Sequence, residues 1–550
     1  MLVRWRKDEG QSRQSLPDFD AFHHMFVALS DMQDAYFQRW LGTWPQGIDW
    51  TRAVINTHVA AALRTVSTEL ELSRPDQGVE CATRKEELIA GYFADIVAYY
   101  FGEDAFSLRN QAYDDMLWVV LGWLESIQFS DEHGRFLSSM APLGAGITTT
   151  TTNTAAPGPE TWYGSRWTPA FAHRARIFWE LAAKGWDTSL CGGGMLWNPR
   201  LMPYKNAITN QLFISASISM YLHFPGDANT SPFSTPTQAS ASHASPKHQP
   251  WRPHDPVFAR AAQRAHAWLA ASNMTNAHGL YADGFHISGH NDSGDGNNNT
   301  RCDTRDEMVY TYNQGVLLSG LLGLFRATRR EAYLREGHAL IKNVVRATGW
   351  DLDANQPVDE NNNNNKEGLP PWRGLGRWGV LEEACDVAGT CSQDAQTFKG
   401  VWMHHFAAFC GAGVLSSRSS DSADDNNEEE EMERVRAWHA GECRRYVPWL
   451  RRNARAAMGT KDERGLFGMW WTPGLLAAVT REEVEVEMEK GGDGMPPPSA
   501  RMALTPGGRW WTTATGACRR RRCGFASPTY HNRYTPAAAG GAETPGRGRE

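Results

Sequence analysis

Tyr113-Asp114-Asp115-Met116 opens the longest apolar run of a 550-residue chain, MLWVVLGWL from Met116 to Leu124. Two adjacent carboxylates beside a buried element are costly unless they are solvated or put to use. Inside a regular helix, neighbouring side chains diverge by about 100°, so a cooperating pair needs the freer backbone of a helix start. There two carboxyl groups can stand roughly 5 Å apart, the spacing of nucleophile and acid/base in a retaining glycosidase. The same residues also suit an N-cap and the positive end of a helix dipole, and the sequence leaves both roles open. A magnesium-diphosphate site of the DDxxD type fits poorly. Trp118 stands where the third aspartate belongs, and no glycine-rich phosphate loop replaces it.

Other polar clusters also sit at helix entrances. In CGGGMLWNPRLMPYKNAITNQLF, Gly192 to Gly194 precede Trp197, then Tyr204, Lys205, Asn206 and Asn210. Glycines admit close backbone approach, Trp197 offers a stacking face, and amides with a lysine can bond sugar hydroxyls. A turn leading into an N-capped helix explains the same pattern. Asp283 in YADGFH and Tyr312, Asn313 and Gln314 in YTYNQG repeat the arrangement ahead of a second apolar helix. His278, His286 and His290 with Asp292 and Asp295 match no metal-ligand spacing and read as solvated loop residues. His404 and His405 lack the HExxH signature and read as helix residues, one of them facing a pore.

The elements that must position these groups are helical. Phe171, Ala175, Phe178 and Leu181 share one face, as do Phe258, Ala261, Ala265, Trp268 and Leu269. The apolar GVLLSGLLGLF is followed by an amphipathic segment marked by Tyr333, Gly337, Leu340, Ile341 and Val344, which predicts an inner and an outer layer. ITNQLFISASISMYLHF alternates like a strand in part, but its length and four-residue spacing favour a helix. Stretches near 148–159, 225–256, 291–299, 361–365 and 416–433 are low in complexity and read as loops of little fixed structure. No strong strand ladder is visible. The expectation is an all-α fold of antiparallel helix pairs closed into a ring.

Lys and Arg total 55 against 62 Asp and Glu, a net charge of −7, which excludes nucleic-acid binding by bulk positive charge. No apolar run approaches the roughly 18 residues a membrane span needs, and no signal peptide is legible at Met1. The 23 Trp suit sugar stacking as well as core packing. Of the nine Cys, Cys385 and Cys391 are close enough to suggest a local loop bridge. Sequons begin at Asn229, Asn273, Asn291 and Asn298.

Taken in order, YDDMLWVVLGWL, CGGGMLW with YKNAITNQLF, ADG with YTYNQGVLLSGLLGLFRAT, and FKGVWMHH with NARAAM and GLFGMWW resemble glycoside hydrolase family 76, the endo-α-1,6-mannanases, over roughly residues 50–475. The resemblance implies an (α/α)6 barrel and a retaining mechanism on α-1,6-mannan, with Asp114 as nucleophile and Asp115 as acid/base. It also implies a groove lined by Trp197, Tyr204, Lys205, Asn206, Asn210, Asp283, Tyr312, Asn313, Gln314 and Lys399, no cofactor or metal, and an extracellular or cell-wall setting. On this reading 1–45 is an N-terminal extension, 46–480 the barrel, and 481–550 a low-complexity tail. Two departures stand out: His404 replaces an expected Arg, and no closing helix follows GLFGMWWTPG. Hydrolysis, transglycosylation and mannan binding without turnover all remain compatible with these residues. The acid role requires a raised pKa for Asp115, from its charged neighbour and apolar surroundings.

Overall fold

Apolar side chains recur at helical spacing along most of the chain, and the helices they predict form. The structure is a computed structural model, and it describes residues 20–72, 79–104, 108–140, 162–228, 251–290, 299–358, 369–411, 426–462 and 466–475. These all belong to one compact unit, Met1–Ala514. Twelve α-helices are described: α1 Ala21–Tyr36, α2 Asp49–Leu72, α3 Val79–Gly102, α4 Tyr113–Met140, α5 Thr168–Ala183, α6 Ala207–His223, α7 Pro256–Ala271, α8 Tyr312–Thr328, α9 Ala332–Ala347, α10 Gln393–Cys410, α11 Asn426–Arg445 and α12 Val447–Gly459.

Inner and outer helices alternate. α2, α4, α6, α8 and α10 pack in that order and α10 returns to α2, while α3, α5, α7 and α9 lie outside against α2, α4, α6 and α8. α11 follows on the outside of α10, and α12 packs on α11 and sets Trp449 against Phe406 of α10, so five helical pairs of the (α/α)6 layout are described with α12 as a further helix. The expected layers follow from composition. Helix α6 is buried almost all round, polar Asn210, Gln211 and Ser215 included, whereas α9 buries one stripe that includes Tyr333, Leu340, Ile341 and Val344. Close approach of α8 to α6 depends on Gly323, where a Cβ would come within 2.5 Å of Ile218 Cγ2.

Several sequence expectations are refined. The acidic run inside 416–433, expected as loop, starts α11 from Asn426, because carboxylates at a helix N-terminus complement its dipole. Within the expected N-terminal extension, α1 packs on α2 and buries Phe26, Leu29 and Met32. Short strands do occur: β1 Tyr204–Asn206, β2 Gly284–His286 and β3 Thr304–Asp306 form an antiparallel sheet in that order, too short to show an alternating pattern. Beyond Cys385–Cys391, disulfides join Cys191 to Cys302 and Cys410 to Cys443, at separations of 111 and 33 residues that no local spacing rule detects. Asp292, Asp295, Asn229, Asn291, Asn298, the 361–365 run, the expected tail 481–550 and Cys518 and Cys523 lie outside the described residues, as does the side chain of Cys81. No helix among the described residues is long and apolar enough to cross a membrane.

Candidate active site

The inner helices start at one end of the ring, and their first turns carry the polar groups. Asp49 opens α2, Asp114 and Asp115 open α4, Asn206 caps α6, Tyr312 opens α8 and Asp394 lies in the first turn of α10. Cross-links tie these starts together. Trp50 Nε1 donates to Asp394 Oδ1 at 2.8 Å, Gln111 Nε2 donates to Asp49 Oδ2 at 3.1 Å, and Tyr312 stacks on Phe398 of α10 at 3.8 Å. Positive helix-dipole ends therefore converge where the carboxylates sit.

Asp114 is buried and accepts two N–H groups, from the Asp115 backbone and from Trp197 Nε1, both at 3.1 Å. Asp115 is half-buried and accepts from the Ala112 backbone at 3.1 Å, bridging back over the helix entry. Burial is the main force on both, and it raises both carboxyls above the ordinary aspartate range. Asp115 is pushed up to about 7, with the charges of Asp394 and Asp49 acting in the same direction as burial. For Asp114, the charge of Asp115 adds to burial, and the two N–H donors oppose it. Two adjacent carboxyls that are both raised by burial and cannot easily ionise together can share one proton between them, the state that paired nucleophilic and acid/base chemistry starts from.

Trp197 is fixed through its backbone: its carbonyl accepts from Tyr113 N at 2.8 Å and its N–H donates to Tyr204 O at 2.9 Å. Tyr204 stacks on His286 at 4.2 Å and donates its hydroxyl to Asp283 Oδ2 at 2.6 Å, while Asn313 Nδ2 donates to Asp283 Oδ1 at 3.1 Å. Burial raises the Tyr312 hydroxyl well above its usual value, and the charges of both Asp283 and Asp114 add to it, which links the β2 segment to the aspartate pair. Trp197, Tyr204, Asp283, Tyr312 and Asn313 thus form one assembly with Asp114 and Asp115.

The remaining expected groove residues are spoken for within the protein. Lys205 is fully buried, and its ammonium donates to Gly193 O at 2.5 Å, Asp187 O at 2.9 Å, Gly194 O at 3.0 Å and Asp187 Oδ2 at 3.0 Å. It pins the glycine turn, whose Gly193 and Gly194 have φ of 140° and 90°. Asn206 accepts from Thr209 N as the cap of α6, and Asn210 bonds both backbone groups of Met195. Gln314 bonds Tyr281 N, Tyr281 O and Tyr310 O, and Lys399 pairs with Asp386 at 2.5 Å. For the YKNAITN segment, the capping role left open by the sequence is the one the backbone uses.

Sequence reasoning missed Asp49 and Asp394, the acidic neighbours of Asp115, which stand in the first turns of α2 and α10. It also missed Glu383, buried and pushed up to about 7 by that burial, whose Oε1 accepts from the backbone and hydroxyl of Thr311 just before Tyr312. His404 packs against α2: its ring lies 5.3 Å from His58 and 5.0 Å from His405.

The profile Glycosyl hydrolase family 76 matches residues 254–412. The matched segment covers less than half of the chain. That segment holds Asp283, Tyr312, Asn313, Gln314 and Lys399, and it ends well short of Asp114 and Asp115 in the N-terminal direction. Mannan endo-1,6-alpha-mannosidase DCW1 of Candida glabrata is 24% identical over 253 residues, which is 44% of this chain and 40% of that protein. The chain therefore spans less than half the length of this relative. Among solved structures, the GH76A alpha-1,6-mannanase of Salegentibacter sp. HEL1_6 is 15% identical, with 85% of this chain and 99% of that one covered and a TM-score of 0.46. An inactive variant of the same enzyme in complex with alpha-1,6-mannotriose is 14% identical with the same coverage and a TM-score of 0.44.

Proposed function

We propose that the protein is a retaining glycoside hydrolase acting on α-1,6-linked mannan. The observation that carries the reading is the adjacent carboxyl pair at the first turn of α4, with Asp114 held by two N–H donors and Asp115 raised to about 7. Asp114 attacks the anomeric carbon as Asp115 gives its proton to the leaving glycosidic oxygen, forming a glycosyl ester on Asp114. Asp115, now ionised, removes a proton from water, which attacks the anomeric carbon and frees Asp114. Trp197 supports the charge on Asp114 through its indole N–H, and Tyr204, Asp283, Tyr312 and Asn313 supply a face of hydroxyl, carboxylate and amide groups suited to sugar hydroxyls. Lys205, Asn206, Asn210, Gln314 and Lys399 act from behind, holding the loops that carry this face. The linkage follows the activity named for the Candida glabrata relative. Three disulfides fit a secreted or wall-bound setting, since such bonds persist in oxidising compartments.

The test is incubation of the full chain with linear α-1,6-mannan beside the Asp114→Asn, Asp115→Asn double variant. Shortened mannan from the first and none from the second supports the reading, and equal turnover by both overturns it. Excess acceptor oligosaccharide added to the same digest separates water from a sugar hydroxyl as acceptor. Longer products identify transglycosylation on the same pair.

A further inference from the structure

Away from the ring's acidic end, three consecutive helices bring soft ligands to one buried point. His338 lies on α9, Cys410 ends α10, and His439 and Cys443 stand one turn apart on α11. His338, His439 and Cys443 are buried, and one ligand atom from each lies within 4.8 Å of the others. Cys443 is bonded to Cys410, which places a second sulfur, and so a fourth candidate ligand, at the same point. Among the described residues this is the one group of three or more histidine, cysteine or acidic side chains close enough to share an ion.

The hydrogen bonds fix the protons. His439 Nε2 can only donate to the Phe409 carbonyl, at 3.0 Å, so in the neutral ring Nδ1 accepts. It accepts from His338 Nε2 at 2.8 Å, which leaves His338 Nδ1 to accept from the Tyr446 hydroxyl at 2.9 Å. Cys443 Sγ sits 3.8 Å from His439 Nε2. With Cys443 in the disulfide, neither sulfur is a thiolate, and the histidines are occupied by this chain of bonds.

We propose that reduction of Cys410–Cys443 converts this seam into a Cys2His2 site for a thiophilic divalent cation such as zinc. Two sulfurs and two imidazoles are the ligand set of tetrahedral structural zinc, and a histidine and a cysteine four apart on one helix present the same face. A phosphine reductant breaks the sulfur–sulfur bond; each sulfur gains a hydrogen, and the phosphine takes oxygen from water to become its oxide. The cation displaces the two thiol protons. The cation takes the place of the hydrogen between His338 Nε2 and His439 Nδ1: the His338 proton moves to Nδ1, from where it donates to the Tyr446 oxygen and orients the ring, while His439 keeps its Nε2–H on the Phe409 carbonyl. The same seam between α9, α10 and α11 is then closed either by a covalent bond or by a metal, so a chain not yet oxidised can hold these helices together.

The test is titration of the full chain with cobalt(II), read by the visible bands of tetrahedral thiolate-bound cobalt, with and without prior phosphine reduction, and with far-ultraviolet dichroism recorded in parallel. The reduced protein is expected to keep its helical signal, to bind one equivalent and to release it to zinc, while the oxidised protein gives no such bands. His338→Ala and His439→Gln, the latter keeping a donor for Phe409, are each expected to weaken binding by at least about tenfold. No bands on reduction, equal bands in the oxidised protein, undiminished binding by the histidine variants, or loss of the helical signal on reduction each overturns the proposal.

Discussion

Two polar clusters enter the inner ring at helix starts and look alike in sequence, yet they differ in how far their polar groups are satisfied. Around Lys205 every demand is met: one ammonium serves three carbonyls and a carboxylate inside a glycine turn. At the start of α4, Asp114 and Asp115 have three N–H donors between them and face further acids, Asp49 and Asp394. A satisfied cluster stabilises the fold, whereas a carboxyl kept near neutrality by burial and like charge is poised to exchange protons. The density of polar residues does not separate the two. Hydrogen-bond supply does.

The largest expected effect sharpens this contrast. Asp114→Asn and Asp115→Asn should each lower turnover on α-1,6-mannan by about 10³-fold or more, with thermal stability unchanged or raised, because each removes a costly buried charge. Lys205→Met should do the reverse: it orphans buried carbonyls and leaves Asp187 without its ion pair, destabilising by about 3 to 5 kcal/mol in denaturant unfolding. A Lys205 variant of undiminished stability with a raised KM would break the comparison.

Proton linkage offers a subtler comparison. The folded-state pKa of Asp115 is raised to about 7 from an ordinary value of 3.8, so its contribution to stability is full below that ordinary value and is lost as pH rises toward 7. Asp115→Asn, which cannot ionise, should therefore gain in melting temperature relative to the parent between about pH 4 and pH 7. A constant difference across that window would contradict the assignment. A smaller effect is expected for Trp197→Phe, which keeps an aromatic ring but removes the donor to Asp114 Oδ2. Losing a hydrogen bond to the charged form raises the Asp114 pKa, so the acid limb of the kcat/KM profile should move to higher pH with a roughly tenfold lower kcat.

The helices were legible because their apolar positions recur at a period tied to burial: α5, α7 and α9 are readable from one face each, α6 from its length and four-residue spacing, and α8 from its apolar run. The aspartate pair was legible because charge beside the most apolar run demands a reason. What escaped reading depends on long-range closure. The β1–β2–β3 sheet joins three-residue strands from distant segments, and Cys191 reaches Cys302 across 111 residues. Lys205 and Lys399 have the side chains of sugar ligands, and only the folded turn and the Cys385–Cys391 loop reveal that Asp187 and Asp386 already hold them. Likewise Asp394 comes beside Asp115 through a ring closure that separates them by hundreds of residues in the chain.

The central claim is that Asp114 and Asp115 act on one anomeric carbon in two successive displacements. Proton NMR of an α-1,6-mannan digest, followed from the first minutes before mutarotation, tests it most directly. The account predicts that the first reducing ends are α. First-formed β ends, from a single inverting displacement, would contradict it.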